Sequence, residues 1–178
     1  MGKNVLILSS SPRRSGNSDT LCDSFLQGAL DAGHQAEKIF LRDQKIGYCT
    51  GCYACEKTGH CAQKDDMADI LPKMLAADVI VMATPVYFYT MSAQMKTLID
   101  RTVPAYTQIS NKDFYFIVTA ADENRSEMER TLEGLRGFTY CLEDPHEKGV
   151  ILGTGAFEIG DIKSSEAMDQ AYQMGKEL

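Results

Sequence analysis

The stretch that decides the fold is Val5-Leu6-Ile7-Leu8-Ser9-Ser10-Ser11-Pro12-Arg13-Arg14-Ser15-Gly16-Asn17-Ser18. Its apolar start is typical of a strand that is buried on both faces, as in a parallel sheet. Leu21, Phe25 and Ala29 follow at a spacing of four, which predicts a helix from Ser18, as N-cap, to about Asp31. The turn between them carries hydroxyls, two arginines and a helix N-terminus. That chemistry favours a bound phosphate, and the alternative is an ordinary polar turn.

Apolar runs and helical patterns alternate along the rest of the chain. Further strands are predicted at about 36–41, 79–83, 114–119 and 150–152. Further helices are predicted at about 66–77, 92–101, 126–136 and 165–175, the third with a capping box of Ser126 and Glu129. This alternation predicts a single α/β domain over residues 1–178, with a five-stranded parallel sheet in the order 2-1-3-4-5 and helices on both faces. In that order the ligand lies between strands one and three.

A second unusual loop, residues 84–90, follows the third predicted strand and therefore lies at the same place. It contains Tyr87, Phe88 and Tyr89 in succession. Consecutive aromatic rings at the end of a buried strand would form an apolar wall suited to a flat heterocycle. The alternative is that these rings pack on a neighbouring subunit or on the cysteine-rich segment described below.

Composition excludes several classes of function. The formal charge is −7 and the sequence pI is about 4.9, which argues against a nucleic-acid partner and an anionic lipid surface. No apolar run approaches the ~20 residues of a membrane span, and the N-terminus lacks a secretory pattern. We therefore expect a cytoplasmic protein, in which six cysteines favour metal or redox roles over structural disulfides.

Four of the cysteines fall in a loop predicted over residues 45–66. Cys49, Cys52, Cys55 and Cys61 have the spacing Cys-x2-Cys-x2-Cys-x5-Cys. Thiolates this close in sequence suit a [4Fe–4S] cluster better than zinc. Zinc, a disulfide and free thiols remain open as alternatives. Cys22 and Cys141 lie on helical patterns and are predicted to be small buried apolar residues.

The two loops, followed by Gln94-Met95-Lys96 and Asp100-Arg101, resemble the NADPH-dependent FMN reductase family of flavodoxin-like proteins, from Lys3 to about Thr119. The resemblance implies that the first loop holds the FMN phosphate and that the second lies along the ribityl chain and isoalloxazine. By position, the implied phosphate ligands are Ser9, Ser11, Arg13, Asn17 and Ser18. The implied flavin contacts are Pro85, Val86, Tyr87 and Phe88, with Ala121 closing the other edge.

The same resemblance implies an FMN-binding, NAD(P)H-dependent oxidoreductase of the flavin or quinone reductase type. Such a protein passes electrons to a small-molecule or protein acceptor and associates as a homodimer or homotetramer. No side chain is singled out as catalytic, since the flavin carries the chemistry. The cysteines, followed by Asp65-Asp66-Met67, resemble the iron–sulfur flavoprotein branch of the family. That likeness implies an alternative, an electron carrier between a [4Fe–4S] cluster and FMN, and a third hypothesis is a non-redox module that binds a phosphate ligand.

Overall fold

The computed structural model describes residues 2–178, and a parallel β-sheet forms its middle layer. The strands are β1 (Asn4–Ser9), β2 (Gln35–Phe40), β3 (Val79–Tyr87), β4 (Thr90–Met91), β5 (Ser110–Thr119) and β6 (Glu143–Gly153). The parallel strands lie in the order β2-β1-β3-β5-β6, and the short β4 pairs antiparallel with β3. The predicted order 2-1-3-4-5 is therefore confirmed for the parallel strands, and β4 is an addition that was not predicted.

Helices cover both faces of this sheet. They are α1 (Asn17–Asp31), α2 (Ala54–Thr58), α3 (Met67–Ala76), α4 (Ala93–Asp100), α5 (Glu129–Tyr140) and α6 (Glu166–Lys176). Because side chains alternate along a strand, Val5 and Ile7 pack with α1 and α6, whereas Leu6 and Leu8 pack with α3, α4 and α5. Burial on both faces explains why the central strands read as continuous apolar runs.

Four predicted boundaries are wrong for local reasons. Ser18 is not the N-cap of α1, because the helix already begins at Asn17 and Gly16 occupies the cap. Ser126 and Glu129 form no capping box: Asn124 accepts a hydrogen bond from the Ser126 N–H at 3.1 Å, and a 3-10 turn precedes α5. Strands β5 and β6 begin earlier than predicted, since their polar first halves pair through the backbone without being buried in the core.

The segment predicted as a loop at 84–90 is instead a hairpin. Strand β3 continues to Tyr87, which pairs with Thr90 across a two-residue turn. The turn residues Phe88 and Tyr89 have φ values of +49° and +63°. A two-residue hairpin favours these left-handed values, but bulky side chains rarely adopt them. The aromatic residues therefore sit on a strained turn rather than on an extended loop.

Helices α1 and α6 approach so closely that only glycine fits at the crossing. A Cβ on Gly28 would lie 2.1 Å from the Tyr172 carbonyl oxygen, and one on Gly175 would lie 2.1 Å from the Phe25 carbonyl oxygen. These neighbours are backbone atoms, which cannot move aside as a flexible side chain can. The contact anchors α6 beside the first helix and so fixes the chain that follows β6.

We expect Gly28→Ala to lower the free energy of unfolding by about 1–3 kcal/mol, because the added methyl group forces two helix backbones apart. Gly137→Ala is the matched control, since Gly137 also lies inside a helix but a Cβ there meets nothing within 4 Å. Alanine has a higher helix propensity than glycine, so Gly137→Ala should leave the free energy of unfolding unchanged or raise it by up to about 1 kcal/mol. Urea denaturation of both variants measures the difference, and equal stabilities would refute the close-contact argument.

Candidate functional site

A cleft lies at the edge of the sheet where β1, β3, β5 and β6 end. Its volume is about 310 Å³. The lining residues lie at the carboxyl ends of these strands or in the chain that follows them: Arg13, Pro85, Val86, Tyr87, Thr119, Ala120, Ala121, Ala156 and Phe157. Five residues predicted to contact the cofactor are thus brought together, namely Arg13, Pro85, Val86, Tyr87 and Ala121. Phe88 stands outside this lining at the hairpin turn, with 98% of its surface exposed.

The turn after β1, residues 10–16, is here called the cradle loop and contributes Arg13 to the lining. The other four predicted phosphate ligands are not among the lining residues: Ser9, Ser11, Asn17 and Ser18. The Ser11 hydroxyl donates to the Arg13 carbonyl at 2.9 Å and accepts from the Arg13 N–H at 3.2 Å. A Cβ on Gly16 would lie 2.4 Å from the Ser11 hydroxyl, so the tight curve requires glycine. The half-buried Arg13 donates to the Phe157 carbonyl at 3.0 Å, which ties the cradle loop to the chain after β6.

The cradle loop leads into the N-terminus of α1, where hydrogen-bond donors remain available. The first N–H to bond within the helix is that of Thr20, which donates to the Gly16 carbonyl, so the N–H groups before it lack intrahelical partners. The Ser18 hydroxyl is fully buried and has no hydrogen-bond partner among residues 2–178. A buried unpartnered hydroxyl at a helix N-terminus fits a phosphate oxygen as its missing partner.

Asn17 and Ser9 are placed differently from Ser18, because their side chains already have partners. The Asn17 side chain donates to the Glu158 carbonyl at 2.9 Å and accepts from the N–H groups of Gly160 and Ile162 at 3.1 and 3.4 Å. The Ser9 hydroxyl is buried and donates to Asp19 at 2.8 Å. Both side chains therefore stabilise the structure around the cleft through hydrogen bonds within the protein.

A carboxylate beside the cradle loop is compensated by a lysine. Asp19 in the first turn of α1 accepts from Lys38 Nζ at 2.9 Å, and Lys38 also pairs with Asp23. Burial lowers the pKa of Lys38, but its hydrogen bonds to Asp23 and Asp19 outweigh that effect and leave the pKa above its ordinary value. The lysine therefore stays charged at neutral pH and offsets a negative charge that would otherwise repel an anion.

The aromatic hairpin carries backbone strain at the mouth of the cleft. Phe88 and Tyr89 both occupy left-handed backbone conformations, and the Arg130 guanidinium lies 5.4 Å from the centre of the Tyr89 ring. Strain of this kind persists where the surrounding structure enforces it, most often at functional sites. The hairpin thus holds its rings beside the cleft.

The four predicted cysteine ligands line a second cavity of about 660 Å³. Cys49, Cys52, Cys55 and Cys61 are all free thiols. Within residues 2–178, no three His, Cys, Asp or Glu side chains converge on a point that would hold a metal ion. The donor set fits an iron–sulfur cluster in kind and number, and the exposed segment that carries the thiols would have to draw together around it.

The thiols differ in their surroundings. The pKa of Cys52 lies below its ordinary value because the backbone N–H of Ala54 and then the Thr50 hydroxyl donate hydrogen bonds to it. Cys22 is buried as predicted, and burial raises its pKa strongly. The prediction for Cys141 is wrong, because this residue ends α5 on its exposed side. Cys22 and Cys141 both stand apart from the cysteine-lined cavity.

A buried arginine binds to both ends of residues 45–66, which are here called the cysteine loop. Arg101 follows α4, and its guanidinium forms two parallel hydrogen bonds to Asp65 at 2.6 and 2.9 Å. These bonds hold the pKa of Asp65 below its usual range and raise the pKa of Arg101, to which the neighbouring Cys61 also contributes. The sequence motif included Arg101, but its spacing gave no sign of this role.

Sequence reasoning missed three residues of the first cleft, since Ala120 adjoins Ala121 in the loop that was expected to close its edge. Thr119 is the last residue of β5, and Ala156 and Phe157 lie in the turn after β6. Their position at the carboxyl ends of two parallel strands is the signal that would have found them. Their residue types give no such signal, since alanine, threonine and phenylalanine occur in any core or turn.

Comparison with known proteins identifies the family of the chain. The family model described as NADPH-dependent FMN reductase matches residues 3–142. An iron–sulfur flavoprotein of Archaeoglobus fulgidus is 40% identical over 94% of this chain and 75% of its own. An iron–sulfur flavoprotein of Methanocaldococcus jannaschii is 32% identical over 98% of this chain and 94% of its own.

The fold itself recurs in solved structures. An azoreductase from Bacillus anthracis superposes with a TM-score of 0.75 over 99% of this chain and 100% of its own, at 16% identity. In the described residues no helix has the length and apolarity needed to cross a membrane. Because the family model covers most of the sequence and the relatives match nearly all of it, the chain belongs to the NADPH-dependent FMN reductase family of flavodoxin-like oxidoreductases.

Proposed function

We propose that the chain binds FMN in the cleft between the cradle loop and the aromatic hairpin and acts as an NAD(P)H-dependent oxidoreductase of the flavin or quinone reductase type. The observation that carries the proposal is the meeting of Arg13 with Pro85, Val86, Tyr87 and Ala121 in one cleft. The cleft lies at the switch point between β1 and β3, where doubly wound sheets bind ligands.

Each wall of the cleft has its own task in this proposal. The FMN phosphate lies at the N-terminus of α1, where Ser11, Arg13 and Ser18 supply donors and charge. The Pro85 to Phe88 segment lies along the ribityl chain and one side of the ring system, and the Ala120–Ala121 turn covers another edge. Bound FMN would supply hydride and single-electron chemistry. The protein orients it, and the exposed Tyr87 and Phe88 leave room for nicotinamide and acceptor beside it.

The proposal also covers the domain organisation, the oligomeric state, the location and the electron acceptor of the protein. The chain acts as one flavodoxin-like domain that forms a homodimer or homotetramer in the cytoplasm. Large exposed apolar side chains around the cleft support association, since Phe88, Tyr89, Phe157 and Ile159 all remain open to solvent and such patches mark interaction surfaces. The electron acceptor is a small molecule or a protein that reaches the same cleft.

We expect Arg13→Ala to weaken FMN binding by about ten- to a hundredfold, which corresponds to the loss of about 1.5–3 kcal/mol from a charge-assisted hydrogen bond. Arg14→Ala is the matched control, because the neighbouring Arg14 is exposed and pairs with Asp43. Fluorescence titration of the apoprotein with FMN measures both affinities. Equal FMN affinity of Arg13→Ala and the wild type would remove Arg13 from the site.

Ser18→Ala should separate binding from folding. Its hydroxyl makes no hydrogen bond within residues 2–178, so its removal should leave the apoprotein as stable or more stable while weakening FMN binding. Asn17→Ala provides the contrast, because it removes three hydrogen bonds to residues 158–162 and should lower stability without FMN. Thermal unfolding of both apoproteins, with and without FMN, gives the answer. A Ser18→Ala protein that is destabilised only when FMN is absent would contradict the assignment.

A second function is favoured by the cysteine loop. All four cysteines line one cavity, and the two similar archaeal proteins described above carry the name iron–sulfur flavoprotein. In this alternative Cys49, Cys52, Cys55 and Cys61 hold a [4Fe–4S] cluster, and the chain carries single electrons between that cluster and FMN. The two proposals share the flavin cleft and differ in the route by which electrons enter or leave.

Anaerobically purified protein should then contain about four iron atoms per chain and a broad visible absorption beside the flavin bands. Cys61→Ser should lose most of the iron, since thiolates are the ligands such clusters require. Cys141→Ser, which changes an exposed thiol outside the loop, should keep the iron. Iron analysis and the visible spectrum decide the matter. A yellow wild-type protein without iron would contradict the electron-carrier alternative and leave only the oxidoreductase proposal.

A further inference from the structure

The cysteine loop is closed at its base by bonds that involve no thiol. The Lys45 N–H donates to the Asp66 carboxylate at 2.6 Å, and the Asp66 N–H donates to the Lys45 carbonyl at 3.1 Å. The Gly47 N–H donates to the Asp65 carboxylate at 2.9 Å. Residues 45–47 and 65–66 therefore form a neck. All four cysteines lie on the chain between its two sides.

The Arg101 guanidinium lies between the two sides of this neck and bonds to both. Arg101 is 1% exposed, and a charge that is so deeply buried must be paired within the protein. Both terminal nitrogens are paired, whereas the buried Nε has no hydrogen-bond partner among residues 2–178. Its Nη1 donates at 2.6 Å to both the Gly47 carbonyl and Asp65, and its Nη2 donates to the other oxygen of Asp65 at 2.9 Å. The planar guanidinium thus bonds both sides of the neck at once, a geometry that the ammonium group of lysine cannot reproduce.

Helix α4, which Arg101 follows, begins beside the cradle loop of the cleft that we propose binds FMN. The Ser92 hydroxyl caps α4 and donates to the Ser10 hydroxyl of the cradle loop at 2.9 Å. The Ser92 N–H donates to the hydroxyl of Thr84 in β3, also at 2.9 Å. Helix α4 has eight residues and is therefore about 12 Å long. One end is bonded to the cradle loop, and the other end delivers Arg101 to the neck of the cysteine loop.

Cys61 is the cysteine that shares its surroundings with Arg101. Both residues line the 660 Å³ cavity of the cysteine loop and also a neighbouring cavity of about 330 Å³, lined further by Met67, Leu71 and Pro104. Asp65 offsets the charge of Arg101 on the side of the neck, but Arg101 lines the 660 Å³ cavity and Asp65 does not. The guanidinium therefore presents its positive charge at the wall of the space where the thiols would hold a cluster. A positive charge near a cluster stabilises its reduced form, because the reduced form is the more negative one.

We propose that Arg101 is a positioning residue, which fixes the cysteine loop at a set distance from the flavin cleft and places one buried positive charge beside the cysteine centre. The inference deepens the proposed function and rests on it for the role of the charge. The anchoring of the loop is independent of any metal. The two parts can therefore be tested separately.

The anchoring is tested on metal-free protein by amide hydrogen exchange. Arg101→Met should speed exchange within residues 45–66 by about tenfold or more, while the strands of the sheet keep their protection. Asp65→Asn should act alike, and the double variant should add little, because both substitutions break one interaction. Lys96→Met is the matched control on α4, since Lys96 forms an exposed pair with Asp100, and it should change nothing.

Two outcomes would overturn the anchoring role. One is unchanged exchange of residues 45–66 in both Arg101→Met and Asp65→Asn. The other is faster exchange spread evenly over the whole sheet, which would make Arg101 a general core residue. If Arg101→Met fails to fold, Arg101→Lys decides. It keeps the charge but loses the paired geometry, so it should loosen the loop and spare the sheet.

The charge is tested on protein reconstituted with iron and sulfide under anaerobic conditions. The reduction potential of the cluster, measured by redox titration followed by electron paramagnetic resonance, should become more negative in Arg101→Met and return towards the wild-type value in Arg101→Lys. A potential that is equal in all three proteins would overturn the placement of the charge. Wild-type protein that takes up no iron would defeat the cluster proposal instead, and the exchange measurements would still decide the anchoring.

Discussion

The hydrogen bond from the Ser10 N–H to the Ala83 carbonyl, 2.9 Å long, is the contact on which the site depends. It continues the pairing of β1 with β3 one residue beyond β1, so the cradle loop leaves the sheet from a fixed point. The Ser10 hydroxyl repeats the bond to the same carbonyl at 2.8 Å, and Ser92 adds the start of α4. The cradle loop therefore meets β3 and the start of α4, which are 73 and 82 positions away in sequence, at one buried hydroxyl. Satisfied polar groups of this kind specify a single arrangement.

Electrostatics around this point is compatible with the phosphate that we propose for this site, although the protein is acidic. The formal charge of −7 describes the whole surface, but affinity for a phosphate depends on the nearest groups. Asp19 is the carboxylate closest in sequence to the cradle loop, and Lys38 from β2 pairs with it. With that charge offset, the helix N-terminus and Arg13 dominate the local field. The composition therefore excludes extended polyanions without excluding one bound phosphate.

The sequence predicted what depends on local pattern and missed what depends on distant partners. Val79 to Ala83 are fully buried, and the alternation of such apolar runs with helical patterns predicted the parallel sheet and its strand order correctly. The polar residues Lys112 and Asp113 pair through their backbones, so hydrophobicity gives no sign that β5 includes them. Similarly, the hydrogen bond between Arg13 and the Phe157 carbonyl joins residues 144 positions apart. No short motif encodes that contact, and the part of the candidate cleft that Ala156 and Phe157 contribute was accordingly not predicted.

The cysteine loop shows how a fold can prepare a site and leave its centre adaptable. The neck is held by Asp65, Asp66 and Arg101, so the cost of closing the loop is met before any ligand arrives. Between the sides of the neck, Cys49 and Cys52 are exposed and held by few bonds to the rest of the chain. Order at the base lowers the entropic cost of gathering the thiols, and freedom above it lets them adapt to a bound centre. A loop that was rigid throughout would need its thiols already converged, and these are not.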